Sequence, residues 1–85
     1  MKIELRYFAS VREQVGTAAE TVELPPEVAT VGAVRGWLAA RGGPWADALA
    51  EGRALRMAHD QVMCSPATVV RDGGEVAFFP PVTGG

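Results

Sequence analysis

Eighty-five residues, 48% of them apolar, with a net charge of -2 from eight basic and ten acidic side chains, suit one small folded domain with little stability in reserve. A single cysteine, Cys64, excludes an intramolecular disulfide, and a single histidine, His59, leaves too few soft ligands for a zinc site. No apolar run approaches the ~20 residues of a membrane-crossing helix, no basic run offers itself to nucleic acid, and Met1-Lys2-Ile3-Glu4 is too charged for a secretory signal, so a cytoplasmic protein that binds neither membrane nor nucleic acid is expected.

Lys2 to Phe8 alternates, with Ile3, Leu5 and Tyr7 on one face and Lys2, Glu4 and Arg6 on the other, which predicts a half-buried strand. Phe8 is the apolar exception on the polar face. Ala9 to Val15 reads as a short helical turn closed by Gly16, and Thr21 to Leu24 as a second strand forming a hairpin with the first. Pro25-Pro26 stops that strand. Thr30 is then a candidate N-cap for a helix over 31–41, in which Val31, Val34 and Leu38 form an apolar stripe with Trp37 at its edge. Gly36 inside this helix costs about 1 kcal/mol relative to alanine, which predicts a tight packing contact there. Gly42-Gly43-Pro44 is expected to end the helix as a C′ glycine followed by proline, and Trp45 to Leu49 to add one further turn with Trp45 covering the core.

In the second half, Leu55 to His59 and Gln61 to Met63 read as short strands turning at Asp60, and Asp72-Gly73-Gly74 as a tight turn into a last strand over 75–79. There Val76 and Phe78 share one face, Ala77 and Phe79 the other. Strand, strand, helix and then strands, with first and last strands side by side, predict an α+β chain of the β-grasp, ubiquitin-like kind: a mixed sheet with one main helix across it. The domain is expected to span residues 1–79.

Residues 80–85 form the most informative stretch. Pro80 and Pro81 lack amide donors, so the sheet cannot continue and the chain must leave extended. Val82 and Thr83 are a short spacer, and Gly84 and Gly85 have the smallest cross-section a polypeptide allows. From Pro81 onward the chain can reach roughly 16 Å at about 3.3 Å per residue. A flexible C-terminal tail of this build can enter a narrow site on another protein while the domain stays outside.

No enzyme site emerges from the remaining residues. His59 has no second imidazole or adjacent nucleophile and reads as a strand-end histidine. Cys64 lacks a neighbouring basic residue and reads as a small apolar side chain. Gly73-Gly74 opens no helix, so it is a turn and not a phosphate loop. Phe8 and Phe79, if the outer strands are neighbours, project together from the face opposite the helix, beside the tail exit. They form a candidate docking patch that Arg12 rims.

The run Glu75-Val76-Ala77-Phe78-Phe79-Pro80-Pro81-Val82-Thr83-Gly84-Gly85 after the Asp72-Gly73 turn resembles the C-terminus of the small subunits of molybdopterin synthase. Tyr7-Phe8-Ala9-Ser10-Val11-Arg12-Glu13, followed by Gly16, is similar to their start; the family's frequent mid-strand asparagine is absent from Met57-Ala58-His59-Asp60. The resemblance implies a sulfur carrier with no bound cofactor. A ubiquitin-activating-like adenylyltransferase would use ATP to adenylate the Gly85 carboxylate, and a sulfur donor of the cysteine desulfurase or rhodanese type would convert it to a thiocarboxylate. The large synthase subunit, in a heterotetramer, would take up the tail through Pro80, Pro81, Val82, Thr83 and Gly84 and pass the sulfur to cyclic pyranopterin monophosphate. Phe8, Arg12 and Phe79 match positions expected at the large-subunit contact, and the general acid–base groups would belong to that partner. The alternatives are a carrier for thiamine or another thiolation route, and a ubiquitin-like modifier or binding module using the same Gly-Gly end.

Overall fold

The computed structural model describes residues 1–81. Its elements are β1 (Lys2–Tyr7), α1 (Ala9–Val15), β2 (Ala19–Glu23), α2 (Val31–Ala39), α3 (Gly43–Ala48), β3 (Arg56–His59), β4 (Val62–Met63) and β5 (Glu75–Phe79). They build one mixed sheet in the order β2-β1-β5-β3-β4. β1 runs antiparallel to β2 and parallel to β5, and β3 lies antiparallel to both β5 and β4. This is the β-grasp arrangement, with first and last strands paired at the centre.

The alternation of β1 decides which face is dry. Ile3, Leu5 and Tyr7 are buried, as are Val76 and Phe78 of β5, and all pack against Val31, Val34 and Leu38 of α2. The turn before β5 fixes the register. Gly73 takes φ +80, a conformation that an L side chain rarely adopts. Its N–H donates to the Lys2 carbonyl at 2.7 Å, while the Lys2 N–H donates to Asp72 Oδ1 at 2.8 Å. Those two bonds tie the starts of the central strands together, and Glu4 falls opposite Glu75.

Thr30 caps α2 as expected, its Oγ1 accepting from the Ala33 N–H at 3.1 Å. The helix ends sooner than its sequence pattern suggests, with Ala40 as C-cap. Gly42 lies beyond that cap and instead opens α3 at φ +79, while Pro44 sits in the first turn of α3, where a missing N–H costs nothing. Three helices therefore cover the described sheet, α2 being the longest.

The packing contact expected at Gly36 is not there: a Cβ added to this exposed residue would meet nothing within 4 Å. The tight position is Gly32, where a Cβ would lie 3.0 Å from Pro66 Cβ. Gly36→Ala is therefore expected to stabilise the domain by about 1 kcal/mol, read as a higher urea midpoint at unchanged slope. A lower midpoint would show that Gly36 does hold a neighbour.

A polar tie closes the sheet edge over α2 and α3. The Tyr7 hydroxyl donates to Glu20 Oε2 at 3.0 Å, and Arg41 donates to both Glu20 oxygens at 2.9 and 3.0 Å. The Arg41 guanidinium also lies 4.4 Å from the Trp45 ring centroid, and Trp45 packs edge-on against Tyr7. Burial, and then the Glu20 charge, push the Tyr7 phenol far up, so it stays a donor. Burial alone would raise the Glu20 carboxyl, but the hydrogen bonds from Arg41 and Tyr7 and the Arg41 charge outweigh it and hold the group below its ordinary value. The stability that comes from this depression is complete above the unfolded-state value of about 4.3 and is lost as pH falls through the lower folded-state value. Glu20→Gln is expected to lower stability at neutral pH and to flatten the acid limb of the stability curve. An acid limb identical to that of the unsubstituted protein would contradict this assignment.

Candidate functional site

The site lies at the end of the central strands, on the sheet face away from α2. Phe8 follows β1 in extended conformation, φ -127 and ψ 155. Its N–H donates to the Phe78 carbonyl at 3.2 Å and so continues the ladder one step past the strand. Strand alternation then sends the side chain to the outer face. Ala9, at φ +50, turns the chain away into α1. Phe79, the last residue of β5, projects from the same face, and the two rings meet edge to face with centroids 6.2 Å apart at 86°. Phe8 remains 46% exposed.

Register extends the patch beyond this pair. Ala77 lies opposite Arg6 on one side and Ala58 on the other, and Ala58 lies opposite Met63. The two alanines make a shallow buried floor, while Met63 stands 54% exposed at its margin. Arg56 lies opposite Phe79 and is exposed. Arg12, in α1 and four residues after Phe8, is exposed as well. Pro80 and Pro81 leave β5 at the edge of this patch with no secondary structure. Val82, Thr83, Gly84 and Gly85, the remaining predicted site residues, lie outside the described residues.

Met63 and Arg56 escape a sequence reading. β4 is too short to show a period, and its register depends on a two-residue turn in which Asp60 and Gln61 both have positive φ, 50 and 67. Asn-Gly or Asp-Gly marks that turn well; Asp-Gln does not. The αL conformation of Asp60 is one that aspartate tolerates better than most residues.

The other polar residues stand apart from the patch. His59 lies at the far end of β3, its Nε2 accepting from the Arg71 N–H at 3.3 Å. Cys64 is half-buried against the core. A groove of about 440 Å³ beside α2 is lined by Gly32, Arg35, Leu49, Met57 and Pro66. Arg35 directs its donors to the carbonyls of Leu49 at 2.9 Å, Arg53 at 2.8 Å and Ala50, holding the loop after α3. Among the described residues no group of three His, Cys, Asp or Glu side chains is placed to hold a metal ion. No helix there is long and apolar enough to cross a membrane. This face offers an apolar patch beside the point where Pro80 and Pro81 leave β5.

The ThiS family model matches residues 5–85, nearly the whole chain. The chain belongs to the ThiS family. Within reach of this ThiS-family chain are the molybdopterin synthase sulfur carrier subunits of Escherichia coli, 47% identical, and Haemophilus influenzae, 42% identical. Each alignment covers 98% of this chain and 99% of the relative. The solution structure of the Haloferax volcanii HVO 2177 protein superposes with a TM-score of 0.79 at 32% identity, covering 100% of this chain and 87% of that one. The fold expected from the order of elements and the family expected from the aromatic, proline and glycine run are thus both found.

Proposed function

We propose that this chain is the sulfur-carrying small subunit of molybdopterin synthase. The observation that carries the reading is the pair of exposed Phe8 and half-buried Phe79 beside the Pro80-Pro81 exit, in a chain 42–47% identical to sulfur carrier subunits of that enzyme over almost its full length.

The chemistry starts at the Gly85 carboxylate. An anionic, resonance-stabilised carboxylate is a poor electrophile, so an adenylyltransferase must first attach AMP from ATP and release pyrophosphate. A persulfide on the donor then attacks the acyl carbon and expels AMP, and a thiol reductant cleaves the S–S bond of the resulting acyl disulfide, freeing the thiocarboxylate as the thiol and the donor cysteine form a disulfide. Gly84 and Gly85 keep the tail narrow enough to present that sulfur inside the large subunit. Pro80 and Pro81 limit the conformations lost on entry, which reduces the entropic cost of binding. Phe8 and Phe79 seat the domain on the partner, with Arg12 at the rim. The sulfur passes to cyclic pyranopterin monophosphate, and two such transfers complete the dithiolene of molybdopterin. Acid–base groups come from the large subunit, and the working assembly is a cytoplasmic heterotetramer.

Reconstitution tests this reading. Thiocarboxylated chain, purified large subunit and cyclic pyranopterin monophosphate are expected to give molybdopterin with two carrier chains consumed per product. Absence of product here, together with sulfur delivery to a thiazole precursor, would assign the chain to thiamine synthesis instead.

A further inference from the structure

We propose that Arg56 is a partner-recognition residue, presenting a cation beside Phe79 to a carboxylate on the large synthase subunit. The inference rests on the reading of the Phe8–Phe79 face as the large-subunit contact and adds the charge chemistry of that contact.

Register sorts the outer sheet face into rows. Glu4 lies opposite Glu75 at one end, Arg6, Ala77, Ala58 and Met63 form the middle, and Phe79 lies opposite Arg56 at the other end. Arg6 leans to the acidic end, its Nε 3.2 Å from Glu75 Oε1. Arg56 has no such neighbour: it is exposed and forms no ion pair with any described residue. Glu75 lies four residues along β5 from Phe79, roughly 13 Å at about 3.3 Å per residue. That exceeds the screening length of about 8 Å at physiological salt. The acidic end of the face therefore does little to neutralise Arg56.

The open edge of β3 provides an independent observation. β4 pairs with Ala58 and His59, and the Cys64 N–H after it donates to the Met57 carbonyl at 3.1 Å, so the strand partner on this edge ends just short of Arg56. The cleft there, about 340 Å³, is lined by Arg35, Arg53, Arg56, Met63 and Cys64 among others, and by no acidic side chain. Arg35 is committed to backbone carbonyls and Arg53 donates to Gln14. Of the three, Arg56 is the one whose guanidinium makes no hydrogen bond to a described residue. A planar guanidinium beside an aromatic anchor fits a carboxylate with two parallel hydrogen bonds, and a charge at an interface rim sets orientation and association rate. In a chain of net charge -2, this local cation makes an acidic partner surface the complementary one.

Isothermal titration with purified large subunit at two salt concentrations tests the inference. Arg56→Glu is expected to weaken binding at least tenfold at low salt and to leave a shallower salt dependence than the unsubstituted chain shows. Arg71→Glu makes the same charge change at the opposite end of β5 and is expected to stay within twofold. Should Arg56→Glu not fold, Arg56→Gln carries the same comparison with a smaller loss. Equal effects at the two arginines, or none at Arg56 while Phe8→Ala with Phe79→Ala weakens binding, would overturn the role of Arg56 alone. Unchanged affinity in the double phenylalanine variant as well would overturn the docking face itself.

Discussion

Deleting Gly84 and Gly85 is expected to abolish sulfur transfer, a loss of at least about 100-fold, while the thermal melt of the domain stays where it was. The cluster of buried side chains runs from Ile3 to Phe78, and the Pro80-Pro81 pair already lies outside it. Removing two residues past that pair therefore takes no buried apolar area from the described core. It does withdraw the terminal carboxylate by roughly 7 Å at about 3.3 Å per residue. Since about 1 Å of misplacement can cost roughly 100-fold in rate, no side-chain adjustment recovers such a distance. Gly85→Ala is the gentler form: the carboxylate keeps its reach but gains a Cβ, and adenylation or transfer is expected to slow. Single-turnover sulfur transfer and a thermal melt on the same samples check both halves. Full synthase activity in Gly85→Ala would remove the need for a side-chain-free end.

Replacing Phe8 and Phe79 together by alanine is expected to weaken association with the large subunit by at least about 2 kcal/mol, roughly 30-fold, with modest loss of stability. The rings touch, so the two substitutions are not additive and the double variant is the informative one. The selectivity of the effect follows from exposure. Phe8 is almost half exposed in the free chain, whereas Phe78, its neighbour across the ladder, is fully buried. Truncating Phe78 would cost about 3–5 kcal/mol of folding free energy and would report on the core rather than on docking. Titration calorimetry reads the binding loss, and unchanged affinity would take the aromatic pair out of the interface.

Strand positions were legible wherever one face is wet and the other dry. The Ile3-Leu5-Tyr7 alternation and the Val76-Phe78 pair predict their own burial, and Phe8 and Phe79 stand out because they break or extend the pattern on the other face. Those two meet because β1 and β5 are parallel neighbours, a pairing that the order of elements suggests. Thr30 was legible because a cap is a local interaction. What local pattern could not supply was register and space. The placement of Met63 depends on a hairpin without its usual turn residues, and Arg56 gains meaning only from lying opposite Phe79. Gly36 misleads for the same reason: its cost is local, whereas the gap above it is a matter of tertiary packing. Gly42-Gly43-Pro44 carries signals for both a helix end and a helix start, and the position of α3 decides between them.

Intact-protein mass spectrometry after incubation with ATP, the adenylyltransferase and a sulfur donor tests the central claim most directly. A mass gain equal to exchanging one oxygen for one sulfur, located at Gly85 and absent without ATP, is the predicted result. An unchanged mass, or an isopeptide bond from Gly85 to a lysine of another protein, would contradict it.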